Sequence, residues 1–557
     1  MKLKSTLVFT VALFSIFLVS EIFAQSTFEN VHAIFQAKCT AGCHSGGSPS
    51  GNLNLSGTTA DVYNRLVNVN PTNPVALGKG YKRVTPGYPY YSFLMKKVNS
   101  GLDVHNDLET GEGNTMPNNV NTLTNVEKEL IRQWIIWGAP DTGNVYNENL
   151  IVDFYNGPGI PEIQAPPTPQ EEGREGYQVR FGPVFLEPGG EFEFFQPYDP
   201  KLTEAKEITE MKGIISPTSH HWVLRRIDEA GVIGLGPAPR DGNDLITQAY
   251  IFQHTENMGV WQFSRTIDLP DGTAIFQDSG EAILLNLHIP NYSQDSIIAA
   301  TGYYNIYTQD VGSGAIEMHT GLTTYGGTDP FILNIPPTGG QPYTLLNHFR
   351  RPGETWYFWT FQAHSHSWGI DYDMYYANPD SSKGAQFYEG FYNEDYTFNQ
   401  GYYSYSHPPV LTNEPLMEVD MDNGLFFEST WVNNGPDTIP FGFTTEQEMF
   451  IAYFQYTTEM PTSVEEKEKP VSNVDVYPNP SRDNINLSYT LKNTAHAVVE
   501  LFNLTGSKVK TIVNSVQSAG KHLLKIKSED EELAPGTYMV SVTVDGQVTT
   551  KKVVSLN

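Results

Sequence analysis

The sequence predicts a mainly β protein with a small helical segment towards its N-terminal end and a separate small β-module at its C-terminal end. Three observations carry that expectation. Segments such as YQVRFGPVFL, EFEFFQP, AILLNLHIP, AATGYYNIYT and PFILNIPP are short, rich in aromatic and β-branched residues, and bounded by Gly, Pro, Asn and Asp, the pattern of strands and turns. Helical signals are confined mostly to the segment that ends in VEKELIRQWIIWGAP. Two composition breaks divide the chain: DTGNVYNENLIVDFYNGPGIPEIQAPPTPQEEGREG, rich in Pro, Gly and acid, and EMPTSVEEKEKPVSN, charged and without apolar periodicity. They predict linkers over residues 146–175 and 463–472.

Along the chain, residues 1–25 show Lys2 and Lys4, the apolar run LVFTVALFSIFLV, and then FAQ, which reads as a secretory signal peptide with cleavage after Ala24. The run is shorter than the roughly 20 residues a spanning helix needs, so no transmembrane anchor is expected. At 557 residues the chain can hold about three to five domains, each with its own core. The formal charge of −29 argues against nucleic acid as a partner, because a phosphate backbone would be repelled. An acidic surface that keeps an exported protein soluble suffices to explain it. The aromatic content of 12% fits β-sheet packing and needs no sugar-binding platform.

Five histidines and one methionine occur in the order His220-His221, His288, His364-Ser365-His366, Met449. Imidazoles suit copper and a thioether favours its cuprous form, so three His on one side and two His plus Met on the other describe two unequal copper sites. In FQAHSHSWG the two histidines stand at i and i+2, and on a strand they project from one face and can grip one ion. The adjacent pair in SHHWVLRR would point to opposite faces of a regular strand, so the backbone must bend there if both are to bind one ion. His288, in ILLNLHIPN, supplies a third nitrogen from another strand. The alternative for each is an ordinary histidine among the fourteen in the chain.

The series HH, H, HxH, M resembles the copper type II, ascorbate-dependent monooxygenases, the family of the peptidylglycine alpha-hydroxylating and dopamine beta-type enzymes, over residues 175 to 462. TTEQEMFIAYFQY is similar to that family's acidic-Met segment, followed four residues later by Tyr. ISPTSHHWVL is similar to its double-His strand, and LNIPPTGG precedes HxH as it does there. The resemblance implies two consecutive jelly-roll-like β-sandwiches, residues 176–315 and 316–462, with one copper each. It implies that His220, His221 and His288 bind an electron-transfer copper, that His364, His366 and Met449 bind an oxygen-activating copper, and that Tyr453 lies near the substrate. The chain departs from the family where an Arg that holds a peptide carboxylate is replaced by Gln362, and where an Asn is replaced by Ile451. A neutral amide cannot form the charge-assisted bidentate pair, so a glycine-extended peptide is not the expected substrate.

The two cysteines lie in AKCTAGCHSGG. Cys39, Cys43 and His44 resemble a c-type haem attachment site, in which two thiols form thioethers and the His binds iron, with one residue more than the usual CxxCH spacing. A small-loop disulfide, or a metal site of Cys39, Cys43 and His44, is the alternative. The following segments, VTPGYPYYSFLMKK, GNTMPNN and VEKELIRQWIIWGAP, are similar to small bacterial cytochrome c domains, which implies a haem domain over residues 26–145 with Met116 as second axial ligand. Met95 falls at helical spacing among apolar residues and is expected in the core.

At the other end, VDVYPNPSRDNINLSYTL, AVVELFNLTGSKVKTI and PGTYMVSVTVDGQVTTKKVVSLN read as short alternating strands. Through Pro478-Asn479-Pro480-Ser481, LFNLTG and Gly536-Thr537-Tyr538, residues 473–557 resemble the C-terminal sorting domain of the type IX secretion system. That resemblance implies secretion or display at the outer cell surface, with the type IX machinery as a partner. The functional expectation is an exported dicopper monooxygenase that uses O2 and an external electron donor, relayed through the haem, to hydroxylate an activated C–H bond of an organic substrate. The alternatives are an electron-transfer or copper-binding surface protein without oxygenase activity, and an extracellular module whose sandwiches bind glycans.

Overall fold

The computed structural model describes residues 26–118, 122–216, 219–261, 264–326, 332–390, 408–461, 471–479, 481, 484–503, 508–527, 536–544 and 547–555. The expected signal peptide, most of the linker at 463–472, Pro480 and the LTG of LFNLTG lie outside the described residues. The chain forms two compact units, residues 1–461 and 462–557.

In the first unit, the helical segment follows from its caps. Helices Thr27–Lys38, Thr59–Leu66 and Asn125–Ile136 each begin at a capping box, with Ser26, Thr58 and Thr124 accepting from the backbone three residues on and Glu29, Asp61 and Glu127 answering the cap. Phe28, Val31, Phe35, Ile131 and Trp134 meet in one apolar core, with Phe28 stacked on Trp134 at 4.8 Å between centroids. Met95 is fully buried in this core, as its spacing predicts.

The stretch expected as a linker after residue 145 is structured. Asn147 caps a helix Glu148–Asn156, whose Ile151 is buried, and residues Gly159–Ile160 add a parallel strand to the neighbouring sheet. The Pro and Gly content masked the short apolar run NLIVDFY. A buried ionic network then fastens the helical segment to the sheets. The Arg180 guanidinium bonds Asp103 at 2.6 Å and Glu162 at 3.0 Å, and lies over the Tyr90 and Tyr303 rings. Arg132 bonds Glu129 and Glu162 from the other side. Tyr88 donates to the Pro197 carbonyl at 2.6 Å, and Gln133 to that of Pro183 at 2.8 Å.

The remainder of this unit is mainly β, in several sheets. A nine-stranded sheet runs in spatial order through Val410–Asp420, Thr355–His364, Ile451–Thr457, His319–Thr324, Thr255–Trp261, His221–Ile227, Ala282–Pro290, Glu191–Tyr198 and Arg240–Asp241. The division expected near residue 316 therefore falls inside one sheet, whose halves join at the pair Thr320 and Asn257. One half shares a core with a seven-stranded sheet through Phe181, Trp222, Trp261, Leu287 and Tyr304. The other shares a second core with a four-stranded sheet through Phe358, Phe427, Trp431 and Phe454. Strand Ala282–Pro290 is buried along its whole length, because alternate residues face different cores: Ile283, Leu285, Leu287 and Ile289 the first, His288 the opposite side. Gly302 is dictated by packing, since a Cβ there would lie 1.7 Å from the Trp222 ring. Two short helices, Glu229–Leu235 and Leu245–His254, capped by Asp228 and Asp244, also lie in this β region.

The second unit comprises a three-stranded and a four-stranded sheet around Ile485, Leu487, Tyr489, Val499, Val540 and Val542. Its strands alternate as the sequence pattern predicts, with Val540 and Val542 facing in from Gly536–Val544.

Asp103→Asn leaves two buried guanidinium groups short of a counter-charge, for an expected cost of about 3–5 kcal/mol in denaturant titration. Burial pushes the Asp103 carboxyl up, but Arg180 and Arg132 outweigh it and hold it below the ordinary value. Its stabilisation is thus complete above the unfolded pKa of about 4 and is lost as pH falls through the folded one. The stabilities of parent and variant are expected to converge in acid.

Candidate metal centre and cofactor pocket

Strand Thr355–His364 delivers His364 at its last residue, and the chain leaves the ladder before His366. Strand His221–Ile227 begins at the second histidine of its pair. His220 lies just outside it, with its N–H bonded to the His288 carbonyl at 2.9 Å, so the backbone departs from strand geometry where the adjacent pair requires. In the ladder His221 pairs with His288, and His288 with Glu193, which sets the three on one face.

The histidines of the two expected ligand sets meet in a single cluster. Ring centroids are 5.0 Å apart for His220 and His288, 5.0 Å for His220 and His364, 5.2 Å for His220 and His366, and 4.8 Å for His221 and His364. Ring nitrogens of His220, His221 and His288 come within 4.8 Å of one another, as do those of His220, His364 and His366, so His220 belongs to both triads. All five rings are buried. Burial, then mutual repulsion, pushes His220, His221 and His364 well below the ordinary imidazole range, and His366 to about 3. These rings are neutral at physiological pH, the state that binds metal.

Their surroundings fix which nitrogen faces inward. A carboxylate only accepts, so His288 donates Nε2–H to Glu191 at 2.6 Å and keeps the Nδ1 lone pair, which has no hydrogen-bond partner. His366 donates Nδ1–H to the Gln447 carbonyl at 3.1 Å and keeps Nε2. Glu191 also accepts from the Thr445 N–H at 2.8 Å and hydroxyl at 3.0 Å, tying His288 to the segment that leads to Met449. Glu448 is buried and receives backbone N–H bonds from His366 and Trp368 at 2.9 Å and from Met449 at 3.0 Å. Burial pushes its carboxyl up to about 7, against those bonds. Met449 is buried two residues before Ile451, which pairs with His364. Tyr453 is buried with its ring 6.2 Å from that of His364. Gln362 pairs with Tyr453 and accepts from Arg265 at 3.1 Å.

The cysteines and their partners line a different place, a cavity of about 430 Å³ in the helical segment. Cys39, Cys43, His44 and Met116 are on its wall, with Leu55 and Phe93 among the apolar side chains. Both thiols are free. Burial, with lesser contributions from Glu127 and Cys43, pushes the Cys39 thiol up to about 11, so it is no thiolate ligand as it stands. His44 donates Nδ1–H to the Leu53 carbonyl at 3.0 Å, which leaves the Nε2 lone pair available. A flat apolar macrocycle with axial ligands fits this donor set.

The residues that sequence reasoning left without a role are Glu191, Glu193 and Glu448. The alternation of EFEFF was a readable signal, since two acids at i and i+2 share a face; Glu448 was visible only as the residue before Met449. Glu193 is buried, accepts from Asn286 at 2.7 Å and lies 4.0 Å from His221.

Residues 475–556 match the secretion system C-terminal sorting domain. That domain marks the chain for type IX secretion to the cell surface or extracellular space, and among the described residues no helix is long and apolar enough to cross a membrane. No curated protein matches the chain. PorZ, a type-IX secretion surface component of Porphyromonas gingivalis, is similar at 18% identity over 22% of this chain and 15% of its own, with a TM-score of 0.13. The β-glucuronidase of Faecalibacterium prausnitzii is similar at 10% identity over 38% of this chain and 36% of its own (TM-score 0.13), and that of Ruminococcus gnavus at 10% over 39% and 36% (TM-score 0.14). The chain thus spans well under half the length of these proteins.

Glu191→Ala, which releases the His288 ring and the Thr445 segment together, is expected to lower the affinity of the histidine cluster for added Cu2+ about 10- to 100-fold in chelator competition, and no Cu2+ uptake by the parent would remove the cluster as a metal site.

Proposed function

We propose that this protein is an exported copper-dependent monooxygenase that hydroxylates an activated C–H bond, R–H + O2 + 2e− + 2H+ → R–OH + H2O, with electrons delivered through a covalently attached haem. The observation that carries the reading is the convergence of five buried imidazoles on two triads that share His220. Clustered imidazoles are the donor set that copper favours. His220, His221 and His288 would hold one copper, and His364, His366 and Met449 the other; a thioether beside two imidazoles favours the cuprous form. Bound copper would supply one-electron chemistry and an affinity for O2. The cavity of Cys39, Cys43, His44 and Met116 would hold the haem, a one-electron carrier whose His/Met ligation raises its potential.

The chain's own side chains supply the rest. Glu191 and the Gln447 carbonyl fix the tautomers of His288 and His366, so each presents its unprotonated nitrogen inward. Glu448 clamps the backbone on both sides of Ser367 and at Met449, holding the second ligand set in register with the first. Burial of the cluster excludes water. Tyr453 sets an aromatic wall beside His364 and keeps its hydroxyl protonated, since burial pushes it up to about 12. Each half of the β region corresponds on this reading to one jelly-roll-like sandwich, and the residues around 146–175 become the structured bridge from the haem domain.

Metal and haem analysis of the purified mature protein, with spectra before and after reduction, tests the proposal. Two coppers and one covalent haem per chain are expected, with substrate-dependent O2 uptake abolished by copper chelation. His364→Ala is expected to lower hydroxylation at least about 100-fold. Cys39→Ala with Cys43→Ala is expected to lose the haem spectrum while keeping copper. Haem without copper would remove the oxygenase reading.

A further inference from the structure

The segment that leads to Met116 reaches the cavity wall as a loop, fastened from two sides. Residues 109–116 read ETGEGNTM, with Gly111 and Gly113 in the left-handed region at φ +89° and +84°. A loop of this kind makes no ladder of its own, so neighbouring side chains take its backbone groups. On one side Asn73 donates to the Gly111 carbonyl at 2.9 Å, and Lys79 reaches the fully buried Glu112 carboxylate at 2.9 Å. Glu112 accepts in turn from the Glu109 N–H at 2.8 Å. On the other side stands helix Phe93–Val98 with its Lys97. The Lys97 Nζ donates to the Glu112 carbonyl at 2.6 Å and to the Asn114 carbonyl at 3.0 Å, while the Lys97 carbonyl accepts the Met116 N–H at 2.6 Å. One residue thus grips the chain at 112, 114 and 116.

Phe93, Lys97, Glu112 and Met116 all line the cavity of Cys39, Cys43 and His44, and the Lys97 ammonium lies over the Phe93 ring, 5.1 Å from its centroid. A Cβ at Gly113 would come within 3.1 Å of the Lys97 Nζ, so glycine leaves the room that the ammonium takes. Bonds from a charged donor are the strong ones, and here both go to carbonyls of the loop. A thioether carries no charge, and its hold on an axial position depends on how firmly the chain keeps it there. We propose that Lys97 is the positioning residue of Met116: its ammonium and its carbonyl hold the loop so that Met116 stays on the cavity wall, and thereby decide whether Met116 or a small ligand from solution takes the second axial position. This rests on the haem part of the proposed function and not on the copper part. While the grip holds, the haem domain is a closed electron carrier; once it is lost, the iron is open to solutes.

The test is titration of the ferric mature protein, its haem content measured, with imidazole, followed by the red absorption band that a thioether gives on ferric haem. The parent is expected to show the band and to lose it only as imidazole displaces Met116. Lys97→Met is expected to lower the imidazole concentration at half displacement at least about tenfold, or to abolish the band outright, and Lys97→Arg to stay within about threefold of the parent. Lys82→Met, which removes a lysine bonded to Asn70 outside the loop, is expected to change nothing. Lys97→Gln, which keeps a neutral donor, is expected in between and decides the matter if Lys97→Met does not accumulate. Equal half displacement in the parent and the Lys97 variants, a failure of Lys97→Arg to restore it, or the same effect from Lys82→Met would overturn the proposal. A haem-loaded parent without the thioether band would overturn it while the covalent haem stands, and a protein without covalent haem would remove the haem reading together with it.

Discussion

The constraint on which the rest depends is the burial of five imidazoles in ring contact. Positive rings at such separations repel, and burial penalises each charge further, so His220, His221, His364 and His366 are held neutral. Neutrality leaves each ring with one donor and one acceptor, and the surrounding groups decide which points where. Glu191 and the Gln447 carbonyl take the donors of His288 and His366 outward, and thereby turn lone pairs inward. Much of the β architecture brings these groups to the histidines: Glu191 reaches from one half of the nine-stranded sheet to Thr445, in the turn that leads into strand Ile451–Thr457 of the other, and Glu448 returns to His366.

The helical segment is joined to this scaffold by charge as well as by apolar contact. Arg132 and Arg180 are both almost fully buried, and each is paired with carboxylates from more than one element. Paired buried charges are geometrically demanding, so the network fixes orientation more than it adds stability. The cavity that holds Cys39, Cys43 and His44 is therefore part of the same compact unit as the histidine cluster.

Much of this was legible from residue order. The strand segments, the placement of the helical part and the sorting domain follow from local pattern, because alternation and turns are encoded within a few residues. The histidines were readable as a candidate donor set, since HxH on a strand and an interrupted HH have direct geometric meaning. Their meeting in one cluster was not, because it depends on how a sheet with strands from both halves curves at Thr320 and Asn257. The helix at 148–156 was concealed by the Pro and Gly on its flanks.

The shared membership of His220 bears on how the chain reaches its final form. The first triad is complete within the chain up to His288, whereas the second needs His364 and His366 to return across a long stretch of sequence. Contacts of high sequence separation close late in folding, because their loop entropy must be met before they contribute. The histidine cluster is accordingly a record of completed folding. A chain that has assembled only its first half brings together His220, His221 and His288 alone, and one that has finished packs His364 and His366 against them.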